Sequence, residues 1–412
     1  MPEKRLQKIH TKDLKIGMFV HDVGRHWLNH PWPHKSKLIT STRDIDQLID
    51  YGIREVIIDF NRGLLKEKPD KQAEEKEKKT PESKGIKDHI EEQTKTEETF
   101  EQVPLEEELP RARKTYIAAL EATREFLADT RTGRKINVAK VRDNVEAMID
   151  STFRNRDASL ALIKLKTYDE YTLTHSLNVA VLAISMGIHL NFSRGKIRQL
   201  GMGAIFHDLG KMKVPQEILN KKDRLTEEEF NTIKYHPVIG ARMLERTDGI
   251  SDQSISIALH HHERLNGTGY PDGLSGEKID SFMIISGMSD VYDALSSDRV
   301  YHKSILPHEA LRTLFSMRDL QFNRLWLERF IQCLGIYPAG TLVRLSTGEI
   351  SLVLSVNRSN LLKPRVKLLF DSKDLPVSGN KILDLSEHKN QNREIIDVID
   401  PKALGLDLSI LL

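Results

Sequence analysis

The sequence predicts a mainly α protein, with a helical domain over residues 111–334 between a small α/β module at 1–64 and a β-rich region at 335–412. Three patterns carry that expectation. Apolar residues recur at helical spacing through the middle of the chain, as in Ile117/Leu120/Phe126/Leu127, Val141/Val145/Met148/Ile149 and Leu177/Val181/Ile184/Ile188. After Gly335 the pattern changes to alternation at 342–345, 350–354 and 365–369, separated by Gly, Asn, Ser and Pro turns. Before residue 65, two short apolar runs flank a single helix signal.

In the first module, Met18-Phe19-Val20 and Val56-Ile57-Ile58 read as strands. Ser41-Thr42-Arg43-Asp44 supplies N-cap chemistry for a helix running through Leu48 and Ile49 to Gly52. Trp27 and Trp32, beside prolines and histidines, either pack a small core or form a binding surface. Residues 65–110 are expected to be a charged linker, disordered or a solvated helix. Between 66 and 109, nine Lys face fifteen Asp or Glu, a local net charge of −6, with almost no apolar area to offset the cost of ordering. Within the helical domain, Thr226-Glu227-Glu228-Glu229 is a capping box, and Pro237 follows His236 where a helix would make its first turn.

Composition narrows the function. A chain of 412 residues has room for two or three domains, and 39% hydrophobic with 30% charged residues is a globular balance. The longest apolar run, 177–190, is interrupted by Asn178, Ser185 and His189, so no membrane span is expected. Met1-Pro2-Glu3-Lys4-Arg5 opens no apolar signal region, and a cytoplasmic location is the expectation. Cys333 is the only cysteine, which excludes an internal disulfide, a thiolate zinc site and a CxxC redox centre. With a total of +2 and −6 in the linker, the remainder carries +8, compatible with an anionic ligand. No aromatic-studded basic stripe accompanies that excess, so neither DNA nor RNA is the expected partner.

The chemistry-bearing residues are His175, the pair His207-Asp208, His236, the run His260-His261-His262, and Asp290. Neutral imidazoles and carboxylates suit borderline divalent metals. A lone helical histidine is ordinarily structural, but adjacent His and Asp can serve two metals if the carboxylate bridges ions about 3.5–4 Å apart. In His207-Asp208-Leu209-Gly210-Lys211, Gly210 is a natural helix stop. Lys211 is then either a surface lysine or a point charge for a phosphate oxygen.

These residues resemble the HD superfamily of metal-dependent phosphohydrolases. His261-His262-Glu263-Arg264-Leu265-Asn266-Gly267-Thr268-Gly269-Tyr270-Pro271 is similar to the signature of its HD-GYP family. Ser289-Asp290-Val291-Tyr292-Asp293-Ala294-Leu295-Ser296-Ser297-Asp298-Arg299 is similar to a later stretch of the same family. The likeness runs over 172–334, and the first sixty residues resemble a small domain of unknown function often placed before HD-GYP domains. It implies an all-helical HD-type domain with metal ligands at His175, His207, Asp208, His236, His261, His262 and Asp290. His260 precedes the matching pair and is left out. The resemblance further implies that Lys211 contacts one phosphate and Arg299 the other or a base. Gly267, Gly269, Tyr270 and Pro271 would shape the loop beside the metals, with Gly269 and Tyr270 near substrate.

Two positions depart from the family pattern. Asn266 stands where Asp is more usual. Tyr171 stands where some members place a glutamate for a third metal, and Glu170 is one residue away, about 100° around a helix. Two divalent ions, iron or manganese, are therefore expected rather than three. The implied activity is phosphodiester hydrolysis of cyclic di-GMP, and a two-metal site implies one cleavage, to linear pGpG, over complete conversion to GMP. The alternatives are cyclic GMP-AMP as substrate, a cyclic-dinucleotide receptor or scaffold with little turnover, and a nucleotide triphosphohydrolase. A second copy of the chain and a GGDEF-type cyclase are the candidate protein partners.

Overall fold

A computed structural model of the chain describes residues 6–23, 36–39, 41–50, 53–59, 101–132, 137–164, 171–221, 223–297 and 304–406, with Arg43, Asp50, Tyr171 and Thr172 as backbone alone. The chain divides into two compact units, Met1–Ser83 and Lys84–Leu412.

In the first unit, strands β1 (Leu6–His10), β2 (Phe19–Asp22), β3 (Lys37–Leu38) and β4 (Glu55–Asp59) form one antiparallel sheet in the order β1-β4-β2-β3. Helix α1 (Thr42–Asp50) connects β3 to β4. Alternation in β4 sends Val56 and Ile58 into the core, where Val20, Ile39 and Leu48 meet them. The expected helix forms through Leu48, which is buried, and Ile49, which lies on its solvent side. Strand β1 carries no clear strand signal, because only Leu6 and Ile9 of its five residues are apolar. Its full-length pairing with β4 makes it a strand. Trp27 and Trp32 lie outside the described residues.

The second unit opens with α2 (Leu105–Thr132), which begins inside the segment read as a linker. Glu108 explains the difference. It is fully buried, accepts from Arg154 Nε and Nη2 at 2.8 Å each, and accepts from Ser151 Oγ at 2.7 Å. A partner 46 residues away neutralises a charge that composition alone assigns to solvent. Helices α3 (Val138–Arg154), α4 (Arg156–Leu162), α5 (Tyr171–His189) and α6 (Arg194–Phe206) follow. Almost every described residue of α5 is buried, which accounts for its long apolar run. No helix among the described residues is long and apolar enough to cross a membrane.

After α6 come a 3₁₀ turn (Leu209–Lys213), α7 (Gln216–Leu219), α8 (Glu227–Lys234), α9 (His236–Glu245) and α10 (Asp252–His260). The capping box forms as expected: Glu229 N donates to Thr226 Oγ1 at 3.2 Å, and Thr226 N donates to the Glu229 carboxylate at 2.7 Å. A loop leads to α11 (Ser281–Ser296), then α12 (Pro307–Ser316) and α13 (Arg324–Leu334). Helix α5 packs against α6 and α11, α6 also against α10, and α9 against α10 and the 3₁₀ turn, so the five helices that carry the histidines and Asp290 form one connected cluster.

The C-terminal region is an antiparallel sheet of β5 (Leu342–Leu345), β6 (Ile350–Ser355), β7 (Arg365–Phe370), β8 (Ile382–Asp384) and β9 (Ile395–Ile399), in the order β8-β7-β6-β5-β9. The three strands expected from alternation form its middle. Arg358 pairs with Asp157 of α4 at 3.1 Å, and Lys164 Nζ donates to Thr341 Oγ1 at 2.8 Å, joining the sheet to the helices.

Candidate metal centre

Each donor sits where a helix ends or two helices cross. His175 is on α5, His207 caps the C-terminus of α6, and Asp208 follows it. His236 opens α9, His261 caps the C-terminus of α10 with His262 next, and Asp290 is on α11. Close backbone approach brings these ends together. A Cβ on Gly210 would stand 1.9 Å from His236 O, so only glycine lets the turn after Asp208 meet α9.

Two donor groups result, Asp208 with His236, His261 and His262, and Asp208 with His175 and His207. Within each group, ligand atoms lie within 4.8 Å of one another, and Asp208 belongs to both. Asp208 Oδ1 is 3.2 Å from His236 Nε2 and 3.9 Å from His261 Nε2. Asp208 Oδ2 is 3.4 Å from His207 Nε2 and 3.8 Å from His175 Nε2. Asp290 closes the ring, with Oδ1 3.1 Å from His175 Nε2 and Oδ2 3.8 Å from His262 Nδ1.

The outer nitrogens of the same rings show what the inner ones are for. His207, His236 and His261 each set Nδ1 against the carbonyl three residues earlier, Ala204 at 2.7 Å, Ile233 at 2.7 Å and Ala258 at 3.0 Å. Nδ1–H donates there, which leaves a lone pair on each inward Nε2. His207 Nε2 and Asp208 Oδ1 are buried without a hydrogen-bond partner. Inward lone pairs and unpaired buried atoms are the environment a cation satisfies, and an N/O donor set of this kind fits iron, manganese or zinc.

Charge states agree with that role. Burial pushes His262 down to about 3 and His261 well below its ordinary value, with neighbouring imidazoles reinforcing the shift at His261, so both rings are neutral, the state that could ligate. Burial opposes ionisation of Asp208 and Asp290. His207 and Lys211 outweigh it at Asp208, and His175 and His262 at Asp290, so both carboxyls stay well below the usual range. At His175 burial is again the largest influence, but Asp290 and Asp293 overcome it and raise the imidazole to about 9.

Lys211 Nζ donates to Asp208 Oδ2 at 2.6 Å, which places an ammonium beside the shared carboxylate. The Tyr270 ring lies 4.6 Å from the His262 ring, centroid to centroid. The loop that carries it is held close: a Cβ on Gly269 would fall 2.4 Å from Glu263 Cα. His260 bonds away from the donor groups, through Nε2 to Asp272 Oδ2 at 2.9 Å. Arg299 lies outside the described residues, as does the side chain of Tyr171.

Two positioning residues escape a reading of the motifs. Asp293 takes His175 Nδ1 on Oδ2 at 2.7 Å, while its Oδ1 accepts from Asn178 Nδ2 at 2.9 Å and Ser297 Oγ at 3.1 Å. Tyr116 extends this network by donating to Asn178 Oδ1 at 2.8 Å. Glu263, 3% exposed, accepts from the backbone N–H groups of Asp272 at 2.8 Å and Leu274 at 2.9 Å, which clamps the far side of the Tyr270 loop. A signal exists for the first: Asp293 and Asn178 each lie three residues past a donor on the same helix face.

Comparison with known proteins agrees with this geometry. A profile of the HD domain matches residues 146–324, one of a domain of unknown function (DUF3391) matches 6–141, and one of a KOW domain associated with the HD domain matches 342–406. A cyclic di-GMP phosphodiesterase of Pseudomonas aeruginosa is 35% identical over 389 residues, 94% of this chain and 91% of its own. One from Borreliella burgdorferi is 29% identical over 220 residues, covering 53% of this chain and 56% of that protein. A 3′3′-cGAMP-specific phosphodiesterase of Vibrio cholerae is 33% identical over 161 residues, covering 38% and 37%. Donor constellation, domain order and near-full-length likeness agree: the chain belongs to the HD-GYP family of cyclic dinucleotide phosphodiesterases.

Proposed function

We propose that the chain hydrolyses one phosphodiester bond of cyclic di-GMP and releases linear pGpG, with two divalent cations, iron or manganese, held by His175, His207, Asp208, His236, His261, His262 and Asp290. The observation that carries this reading is that Asp208 belongs to both donor groups. Bound there, the cations would polarise the phosphoryl oxygens and make water nucleophilic near neutral pH. The chain supplies the rest. The carbonyl contacts of His207, His236 and His261 hold those rings in the ligand tautomer. Lys211, beside Asp208, would donate to an oxygen of the phosphate under attack and stabilise the charge that grows on it. Gly269 and Tyr270 would line the substrate next to His262, and Arg299 would take the second phosphate or a base.

Turnover by metal-loaded protein, with products separated by chromatography, tests the proposal against a receptor. Wild type is expected to accumulate pGpG, and His207→Ala and Asp208→Ala to be inactive. Equal slow hydrolysis by all three would leave a receptor as the better reading. A second substrate, 3′,3′-cyclic GMP-AMP, is favoured by the likeness to the Vibrio cholerae enzyme. A panel of the two dinucleotides at equal concentration separates them by kcat/KM.

A further inference from the structure

Helix α8 passes the Tyr270 loop and presents an aromatic ring and a cation there. Lys234 Nζ stands 5.1 Å from the Tyr270 ring centroid and 5.6 Å from that of Phe230, so one ammonium bridges two aromatic faces. Tyr270 in turn lies against His262 of the donor group. A line therefore runs from the candidate metal centre through Tyr270 to Lys234 and Phe230. Phe230 is 48% exposed, so part of its ring is open to a ligand. Among the described residues, Lys234 has no carboxylate within ion-pair reach, whereas Lys211 is committed to Asp208 and the Arg264 guanidinium to the carbonyls of His261 and Glu263. An unneutralised ammonium beside an open aromatic face fits an anion joined to a flat ring, which is what a nucleotide offers.

We propose that Lys234 and Phe230 form a second nucleotide subsite, which holds the half of a cyclic dinucleotide that is not being cleaved. Lys234 takes the remote phosphate, which leaves Arg299 the base contact of its two proposed roles, and Phe230 takes the base attached to that phosphate on its exposed surface. This rests on the cyclic-dinucleotide reading above. Such a subsite acts through binding of a part of the substrate remote from the reacting phosphorus, so its loss raises KM and leaves kcat nearly unchanged.

The test compares cyclic di-GMP with bis(4-nitrophenyl) phosphate, a diester with no second phosphate, on the metal-loaded full chain. Lys234→Ala and Phe230→Ala are each expected to raise KM for the dinucleotide by roughly tenfold, the size of one charge-assisted or stacking contact. Lys234→Arg keeps the cation and is expected to restore most of the affinity. The small diester should keep its kcat/KM in all three variants. An unchanged KM for the dinucleotide overturns the subsite. A parallel loss on both substrates also overturns it, because that marks a structural role for α8. If wild type cleaves the small diester and not cyclic di-GMP, the functional reading fails on its own, before any variant is made.

Discussion

Asp293→Asn exchanges one oxygen for nitrogen in a buried, close-packed place and isolates what Asp293 does for His175. The carboxylate accepts three hydrogen bonds, from His175 Nδ1 at 2.7 Å, Asn178 Nδ2 at 2.9 Å and Ser297 Oγ at 3.1 Å. An asparagine can satisfy only part of this. With its oxygen toward His175, its NH₂ faces the NH₂ of Asn178. Turned the other way, it presents donors to His175 Nδ1 and favours the tautomer with hydrogen on Nε2, which cannot ligate. Loss of such an outer partner costs about 10–100-fold in metal affinity or activity, and one buried unsatisfied donor costs roughly 1–3 kcal/mol of stability. Metal affinity is read by chelator competition with Mn²⁺, and stability by thermal unfolding of the metal-free protein. The expected result is at least tenfold weaker Mn²⁺ binding with secondary structure retained. Wild-type affinity in a variant whose Tm has fallen would refute the positioning role and leave Asp293 a packing residue.

Removing the clamp in Glu263→Gln, which keeps one acceptor for Asp272 N or Leu274 N, should raise KM and leave the bound metal content unchanged; loss of metal instead would contradict a role confined to the loop. In Gly210→Ala the new Cβ would have to displace His236 O from 1.9 Å, so metal content and yield of folded protein should both fall, and normal metal content would show that the turn can relax. Glu108→Gln should destabilise by roughly 1–3 kcal/mol in chemical unfolding with kcat unchanged, since it weakens a charged contact to Arg154 remote from the donors. Metal uptake should also depend on pH. With the metal-free His175 imidazole near 9, a cation must displace its proton at pH 7, so apparent Mn²⁺ affinity should fall about tenfold per pH unit as pH drops below 9. A flat profile between pH 6 and 8 would show that His175 is already deprotonated before metal binds.

Much of the fold was open to reading because the elements advertise themselves locally. The 3.6-residue stripe of α3, the apolar length of α5 and the Thr226 box each depend on neighbours in sequence. So do the alternations of β5 to β7. What stayed hidden depends on distant partners. β1 becomes a strand only by pairing with β4, and the charged start of α2 becomes core only because Arg154 arrives at Glu108. The same division runs through the metal centre. Imidazoles and carboxylates in family order picked out seven candidate donors, which the fold gathers at three helix ends and at His175 and Asp290 inside two packed helices. Glu263 looks no different from any motif carboxylate until the backbone N–H groups it holds are in view, and Asp293 is marked only by its spacing three residues past Asp290. Arg299 and the Tyr171 side chain lie outside the described residues, so the second-phosphate and third-metal expectations rest on the sequence.

Elemental analysis of anaerobically purified protein, wild type beside Asp208→Ala, decides whether one carboxylate joins two ion sites. Two equivalents of iron or manganese per chain in wild type, and neither site retained in the variant, is the expected result. A single equivalent in wild type, or two in the variant, would contradict the shared-carboxylate centre.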